Sequence, residues 1–146
     1  MTTPLVPTPL QQRILLADDD EAVRSVLRRS LERAGYEVRE ASDGRAALKL
    51  LASTPADLII TDLVMPEMEG IEFILAMRKT HPKLPVIAMS GGGRAVGPDD
   101  YLKIARACGA VKILAKPFET EQLLAAMQEL LGPPPAIDSA WPWGAG

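Results

Sequence analysis

The sequence predicts an α/β fold: a doubly wound, five-stranded parallel sheet with five helices, arranged in three α/β/α layers. Three observations carry this. Five short strand-like runs alternate strictly with five stretches of helical periodicity. Most of the runs are apolar throughout, which marks strands buried on both faces, and so a parallel sheet covered by helices. The chain has 146 residues, 47% hydrophobic and 24% charged, the size and balance of one globular domain with a useful core.

The elements follow in order. "RILLA" (Arg13 to Ala17) is an apolar run that ends in "DDDE" and reads as the first strand. Ala22, Val23, Val26, Leu27, Leu31 and Ala34 then recur at helical spacing, and Gly35 is a natural stop. "YEVREA" (Tyr36 to Ala41) alternates like a strand. Asp43 can cap a helix that contains Ala46, Ala47, Leu50 and Leu51. "DLIITD" is the third strand, and Ile71, Ile74, Leu75 and Arg78 belong to the helix after it. "PVIAMS" (Pro85 to Ser90) is the fourth strand. A glycine-rich stretch leads to a helix with Tyr101, Leu102, Ala105 and Cys108, closed by Gly109. "VKILA" (Val111 to Ala115) is the fifth strand. Leu123, Leu124, Met127, Leu130 and Leu131 mark the last helix.

Both ends differ from this pattern. Residues 1–12 carry three prolines and no charge, and residues 132–146 read "GPPPAIDSAWPWGAG"; both are expected to be flexible extensions of a folded unit spanning residues 13–131. Net charge is −3, which favours neither nucleic acid nor an anionic membrane. A single cysteine, Cys108, allows no internal disulfide. No apolar run approaches membrane-spanning length, and the first residues lack the features of a signal peptide. Cytoplasm is the expected location.

In sheets of this kind, sites form beyond the carboxyl ends of the strands, where the strand order switches direction. Those ends carry Asp18 and Asp19 after the first strand, Asp62 after the third, Ser90 after the fourth and Lys116 after the fifth. Each has an ordinary reading alone: Asp18, Asp19 and Asp20 as helix caps, Ser90 as a strand end, Lys116 as a solvated lysine. Asp62 is harder to dismiss, because it follows a core strand and a buried carboxylate needs a partner. Together they form a chemically complementary set. Three carboxylates with one lysine leave a local charge of about −2, and each like pair at contact costs on the order of a few kcal/mol. Protonation could relieve this, or a divalent cation could. Carboxylate oxygens suit Mg²⁺, which accepts phosphate oxygens as further ligands. Asp62 is the best nucleophile: a carboxylate can attack phosphorus and form an acyl phosphate. Lys116 and the Ser90 hydroxyl could then stabilise the added charge.

The stretches "ILLADDDEAVR", "DLIITDLVMPEMEGIEF", "PVIAMSG" and "GAVKILAKPF" resemble the receiver domain of two-component response regulators. The acidic pair, the D-x-x-M-P-x-M-x-G stretch and the K-P-F ending occur in the family's order on the expected elements. The resemblance implies a flavodoxin-like (CheY-like) fold, with Asp62 as the phosphoacceptor. It implies that Asp18, Asp19 and Asp62 hold Mg²⁺ together with the backbone carbonyl of Val64. Ser90 takes the family's hydroxyl position, Lys116 the phosphate-contacting lysine, and the Lys116–Pro117 bond is expected to be cis. The implied donor is the phosphohistidine of a sensor histidine kinase or phosphotransfer protein.

Three positions depart from the family pattern. Ile113 stands where a Phe or Tyr switch residue is usual, Ser90 where Thr is commoner, and "GGGRAVGP" lengthens the link after the fourth strand. Ile113 has no ring to swing, so activation is expected to act through Ser90 and the loop from Gly91 to Pro98 instead. The expected output is contact with a protein partner, through a surface including Tyr101, Lys103, Arg106 and Lys112, rather than DNA. The residues after the last helix hold no basic side chain for phosphate contacts. Trp141 and Trp143 invite burial against a partner or a second copy, making a homodimer. Small-molecule turnover is not expected. The rival readings are a Mg²⁺-dependent phosphatase with an aspartyl nucleophile, whose family places that residue on the first strand, and a receiver that binds proteins without phosphorylation. Flavin binding lacks a phosphate-cradling loop after the first strand.

Overall fold

The computed structural model describes residues 11–63, 70–90 and 111–132. Its first strand, β1 (Arg13–Ala17), becomes buried after Arg13 and is paired on both sides, as its apolar run requires. The remaining elements are α1 (Glu21–Arg33), β2 (Glu37–Ala41), α2 (Gly44–Ser53), β3 (Leu58–Asp62), α3 (Gly70–Arg78), β4 (Val86–Ser90), β5 (Val111–Ala115) and a last helix, Thr120–Leu131. The five strands form one sheet in the order β2-β1-β3-β4-β5, with every neighbouring pair parallel. The order reverses between β1 and β3, so the carboxyl ends of these two strands flank the switch point.

Alternate side chains of the central strands feed two cores. Leu15, Ala17, Ile59, Val86 and Ala88 pack with Ala47, Leu51, Phe73 and Met77 of α2 and α3. Ile14, Leu16, Leu58, Ile60, Ile87 and Met89 pack on the opposite face, with Leu27 and Leu31 of α1 and Leu123 and Met127 of the last helix. β3 is buried along its whole length, which is why its sequence reads as an apolar run rather than an alternation.

The helix ends follow local chemistry. Asp20 caps α1: its Oδ1 accepts from the backbone N–H of Ala22 at 2.9 Å and of Val23 at 3.2 Å. Gly35 takes φ +103°, a backbone state that glycine adopts without penalty, and turns the chain towards β2. Asp43 caps α2 by accepting from the Ala46 N–H at 2.8 Å.

Three expectations need adjustment. Tyr36 and Pro85 lie just before their strands rather than within them. Val26, part of the apolar repeat on α1, is 60% exposed. The described residues contain four helices, and the fifth, expected around Tyr101 to Cys108, lies outside them. Also outside the described residues are residues 1–10 and 133–146 of the two terminal extensions, Val64, and the Gly91 to Pro98 loop.

Tyr36 is fully buried, and burial pushes its phenol above its ordinary range. Among the described residues its hydroxyl has no hydrogen-bond partner. Removing such a hydroxyl relieves a desolvation cost of about 1 kcal/mol. Tyr36→Phe is therefore expected to leave the urea midpoint unchanged or raise it, at constant m value. A loss of more than about 1 kcal/mol would show that the hydroxyl is bonded.

Candidate functional site

The cluster forms where β1 and β3 end. Asp18 follows β1 directly and is wholly buried; Asp62 closes β3 and is 6% exposed. Asp19 is exposed. One carboxylate oxygen from each of Asp18, Asp19 and Asp62 lies within 4.8 Å of the others. The capping role is taken by Asp20, so Asp18 and Asp19 are not needed for it.

Lys116 reaches this cluster from the residue after β5. Its Nζ donates to Asp18 Oδ2 at 2.9 Å and to Asp62 Oδ2 at 3.0 Å. The lysine thus bridges two nearly buried carboxylates from residues far apart in the chain. Its half-buried position disfavours the charge, but hydrogen bonds and Coulomb attraction from Asp18 and Asp62 outweigh this and raise its pKa. The Lys116–Pro117 bond is cis, as the resemblance implies. The backbone of Ser90 ends β4 opposite Ala115, while its hydroxyl, like the Val64 carbonyl, lies outside what the structure describes. Ile113 is half-buried and packs against the α2–α3 core.

The oxygen donors fit a hard divalent cation. Three carboxylates converge, two of them buried, and a single lysine cannot balance them. Mg²⁺ bound by Asp18, Asp19 and Asp62 would supply the missing positive charge.

A second set of residues supports Asp18 from behind, and the sequence reading did not single it out. The backbone N–H of Asp18 donates to the Ala41 carbonyl at 3.1 Å, and Asp18 Oδ1 accepts from the Asp20 N–H at 2.9 Å. Arg24 Nη1 donates to the Asp18 carbonyl at 2.8 Å, while Arg24 Nε donates to Glu40 Oε1 at 3.0 Å. Arg28 pairs with the other oxygen of Glu40 and also with Glu32. Burial raises the Glu40 pKa, but its bonds to Arg28 and Arg24 more than reverse this and lower it. β2 therefore does contribute a polar group near the site, Glu40, one residue before its end. The only signal in the sequence was an arginine one turn into the helix that follows the acidic run.

Beside Lys116 an open groove of about 570 Å³ runs between Ala22, Val23, Val26 and Leu27 of α1 and the Lys116–Pro117–Phe118 turn. Among the described residues that line it, all but Lys116 are apolar.

A carboxylate–lysine cluster at the switch point of a five-stranded parallel sheet defines the class, and the chain belongs to the response regulator receiver domain family, whose model matches residues 14–128. It is a receiver of two-component signal transduction. Its likeness to particular proteins is close. It is 41% identical over 127 residues to the response regulator MprA of Mycolicibacterium vanbaalenii, covering 82% of this chain and 50% of that protein. The MprA of Mycobacterium ulcerans is 39% identical over the same length. The chain thus spans about half the length of the curated relatives it matches. Among solved structures, the chemotaxis protein CheY4 of Vibrio cholerae superposes with a TM-score of 0.76 at 34% identity, covering 84% of this chain and 100% of that one. A CheY-like receiver protein from Methanospirillum hungatei gives 0.76 at 28% identity, over 82% and 93% of the two chains. No described helix is long and apolar enough to cross a membrane.

Proposed function

We propose that this receiver accepts a phosphoryl group on Asp62 from the phosphohistidine of a sensor kinase or phosphotransfer protein, and signals through a protein contact. The observation that carries this is the bridging of Asp18 and Asp62 by Lys116 beside the exposed Asp19. A carboxylate oxygen of Asp62 attacks phosphorus, the P–N bond breaks, and its electron pair returns to the donor imidazole. Lys116, already within hydrogen-bond range of Asp62, stays beside the added charge, and the Ser90 hydroxyl is the second group assigned to it. Asp18, Asp19 and Asp62 would hold Mg²⁺, with the Val64 carbonyl assigned as a further ligand by the family resemblance, and the ion would supply positive charge beside the transferred group. No released small-molecule product is required, so the chain works as a signalling module. The phosphatase reading places its nucleophile on the first strand, whereas the carboxylate assigned here closes β3. Mg²⁺-dependent labelling by acetyl phosphate, without turnover of generic phosphate esters, tests the reading.

The donor protein must bring its histidine to Asp62, and the apolar groove lies alongside Lys116. Val26 is a partner contact in this reading, which accounts for an exposed valine at a position with helical core spacing. Val26→Asp places an unpaired charge in that contact, at a cost of about 1–3 kcal/mol. Transfer from a cognate kinase is expected to slow by roughly tenfold or more, with labelling by acetyl phosphate unchanged. Equal slowing of both reactions would place the effect in the site itself.

A further inference from the structure

We propose that Arg24 is a positioning residue for the metal-binding carboxylates, acting as a clamp between the Asp18 carbonyl and Glu40. This rests on the Mg²⁺-binding reading given above.

Arg24 holds two acceptors at once. Its Nη1 donates to the Asp18 carbonyl at 2.8 Å and its Nε to Glu40 Oε1 at 3.0 Å. The Asp18 carbonyl belongs to the peptide that joins Asp18 to Asp19. Fixing that peptide plane constrains the direction of both side chains. The other restraints on Asp18 come from its N–H on the Ala41 carbonyl and its Oδ1 on the Asp20 N–H. Ala41 and Glu40 are neighbours at the end of β2, so the acidic turn is tied twice to the same strand end. Arg28 holds the second oxygen of Glu40, which leaves that carboxylate little freedom to rotate. A guanidinium suits this position because its planar fork serves two acceptors in fixed directions, which an ammonium on a flexible stem does not.

The sign of the effect separates positioning from simple charge. Arg24 and Arg28 with Glu40 and Glu32 are close to neutral as a set, so removing the Arg24 cation leaves a net negative charge, which favours a nearby cation. If Arg24 acted only as a charge, removing it would tighten Mg²⁺ binding. A clamp gives the opposite result. Outer residues that orient metal ligands contribute about 10–100-fold in affinity, and the lower end suits a partly solvated clamp.

The test is a calorimetric Mg²⁺ titration of the full chain at fixed ionic strength, with Arg24→Met and Arg24→Lys beside the wild type. Amide hydrogen exchange at Asp19 and Asp20 is followed in EDTA. Arg24→Met is expected to raise the Mg²⁺ Kd about tenfold and to speed exchange at those amides in the metal-free protein. Arg24→Lys keeps the charge and the fold but loses the fork, and is expected to raise the Kd several-fold. A Kd for Arg24→Met equal to or below wild type overturns the proposal. So does a wild-type Kd for Arg24→Lys, which also decides the matter should Arg24→Met fail to fold. If the wild type itself binds no Mg²⁺ at millimolar concentration, the functional reading fails instead.

Discussion

Asp62→Asn is expected to abolish acid-labile labelling of the chain by acetyl phosphate and by a kinase, while leaving the fold intact. The substitution keeps the size of the side chain and an acceptor oxygen for Lys116, which lies 3.0 Å from Asp62 Oδ2. It removes the proposed nucleophile, because a neutral amide oxygen does not form a stable acyl phosphate. The effect on labelling is therefore complete rather than graded. Stability is expected to change little, since replacing one of three clustered carboxylates lowers their mutual repulsion. The measurement is labelling under conditions that saturate the wild type, with circular dichroism and a denaturant midpoint as controls. Undiminished labelling of Asp62→Asn would remove Asp62 from the role assigned to it.

Lys116→Met is expected to produce the second large effect, with a size that depends on Mg²⁺. The change leaves the wholly buried Asp18 and the 6% exposed Asp62 without their shared cation. Removing one partner of a buried ion pair costs about 3–5 kcal/mol. The site borders solvent, so about 2–3 kcal/mol is the expected loss at neutral pH. Mg²⁺ bound there would supply positive charge to the same carboxylates and is expected to recover much of this. Urea denaturation of wild type and variant, with and without Mg²⁺, reads the difference. Labelling by acetyl phosphate should fall strongly even at saturating Mg²⁺, because the metal replaces the charge but not the directed ammonium. A variant as stable as wild type in EDTA would show that the bridge contributes nothing to folding.

The same bridge sets a pH dependence. Lys116 has a folded pKa above its ordinary value of 10.5. A group raised on folding contributes stability that is complete below the unfolded value. That contribution fades as pH rises through the folded one. The wild type should therefore lose stability relative to Lys116→Met only above about pH 10.

Much of the fold was legible because the physical signal was local. β3 reads as a strand since its residues are buried on both faces and therefore all apolar. Asp43 announces α2 because a short acidic side chain can reach the helix amides from the cap position. The meeting of Asp18, Asp62 and Lys116 was legible at one remove, from the rule that strand ends in a parallel sheet share an edge. Other features depended on facts no local pattern encodes. Which of three consecutive aspartates caps α1 depends on where the helix begins, and the answer is Asp20. The exposure of Val26 depends on how far the last helix and the Phe118 turn cover α1, which spacing on one helix does not tell. The Arg24–Glu40–Arg28 network depends on β2 pairing in register with β1, so that Ala41 sits opposite Ala17 and Glu40 faces α1.

The central claim is that one carboxylate in this cluster becomes an acyl phosphate. The most direct measurement is borohydride trapping of protein phosphorylated with acetyl phosphate and Mg²⁺, followed by peptide mass mapping. Reduction converts a phosphorylated aspartate, and no other, to homoserine. The account requires homoserine at position 62 only, with none formed when Mg²⁺ is withheld by EDTA. Homoserine at Asp18 or Asp19, or no conversion anywhere in a chain that binds Mg²⁺, would contradict it.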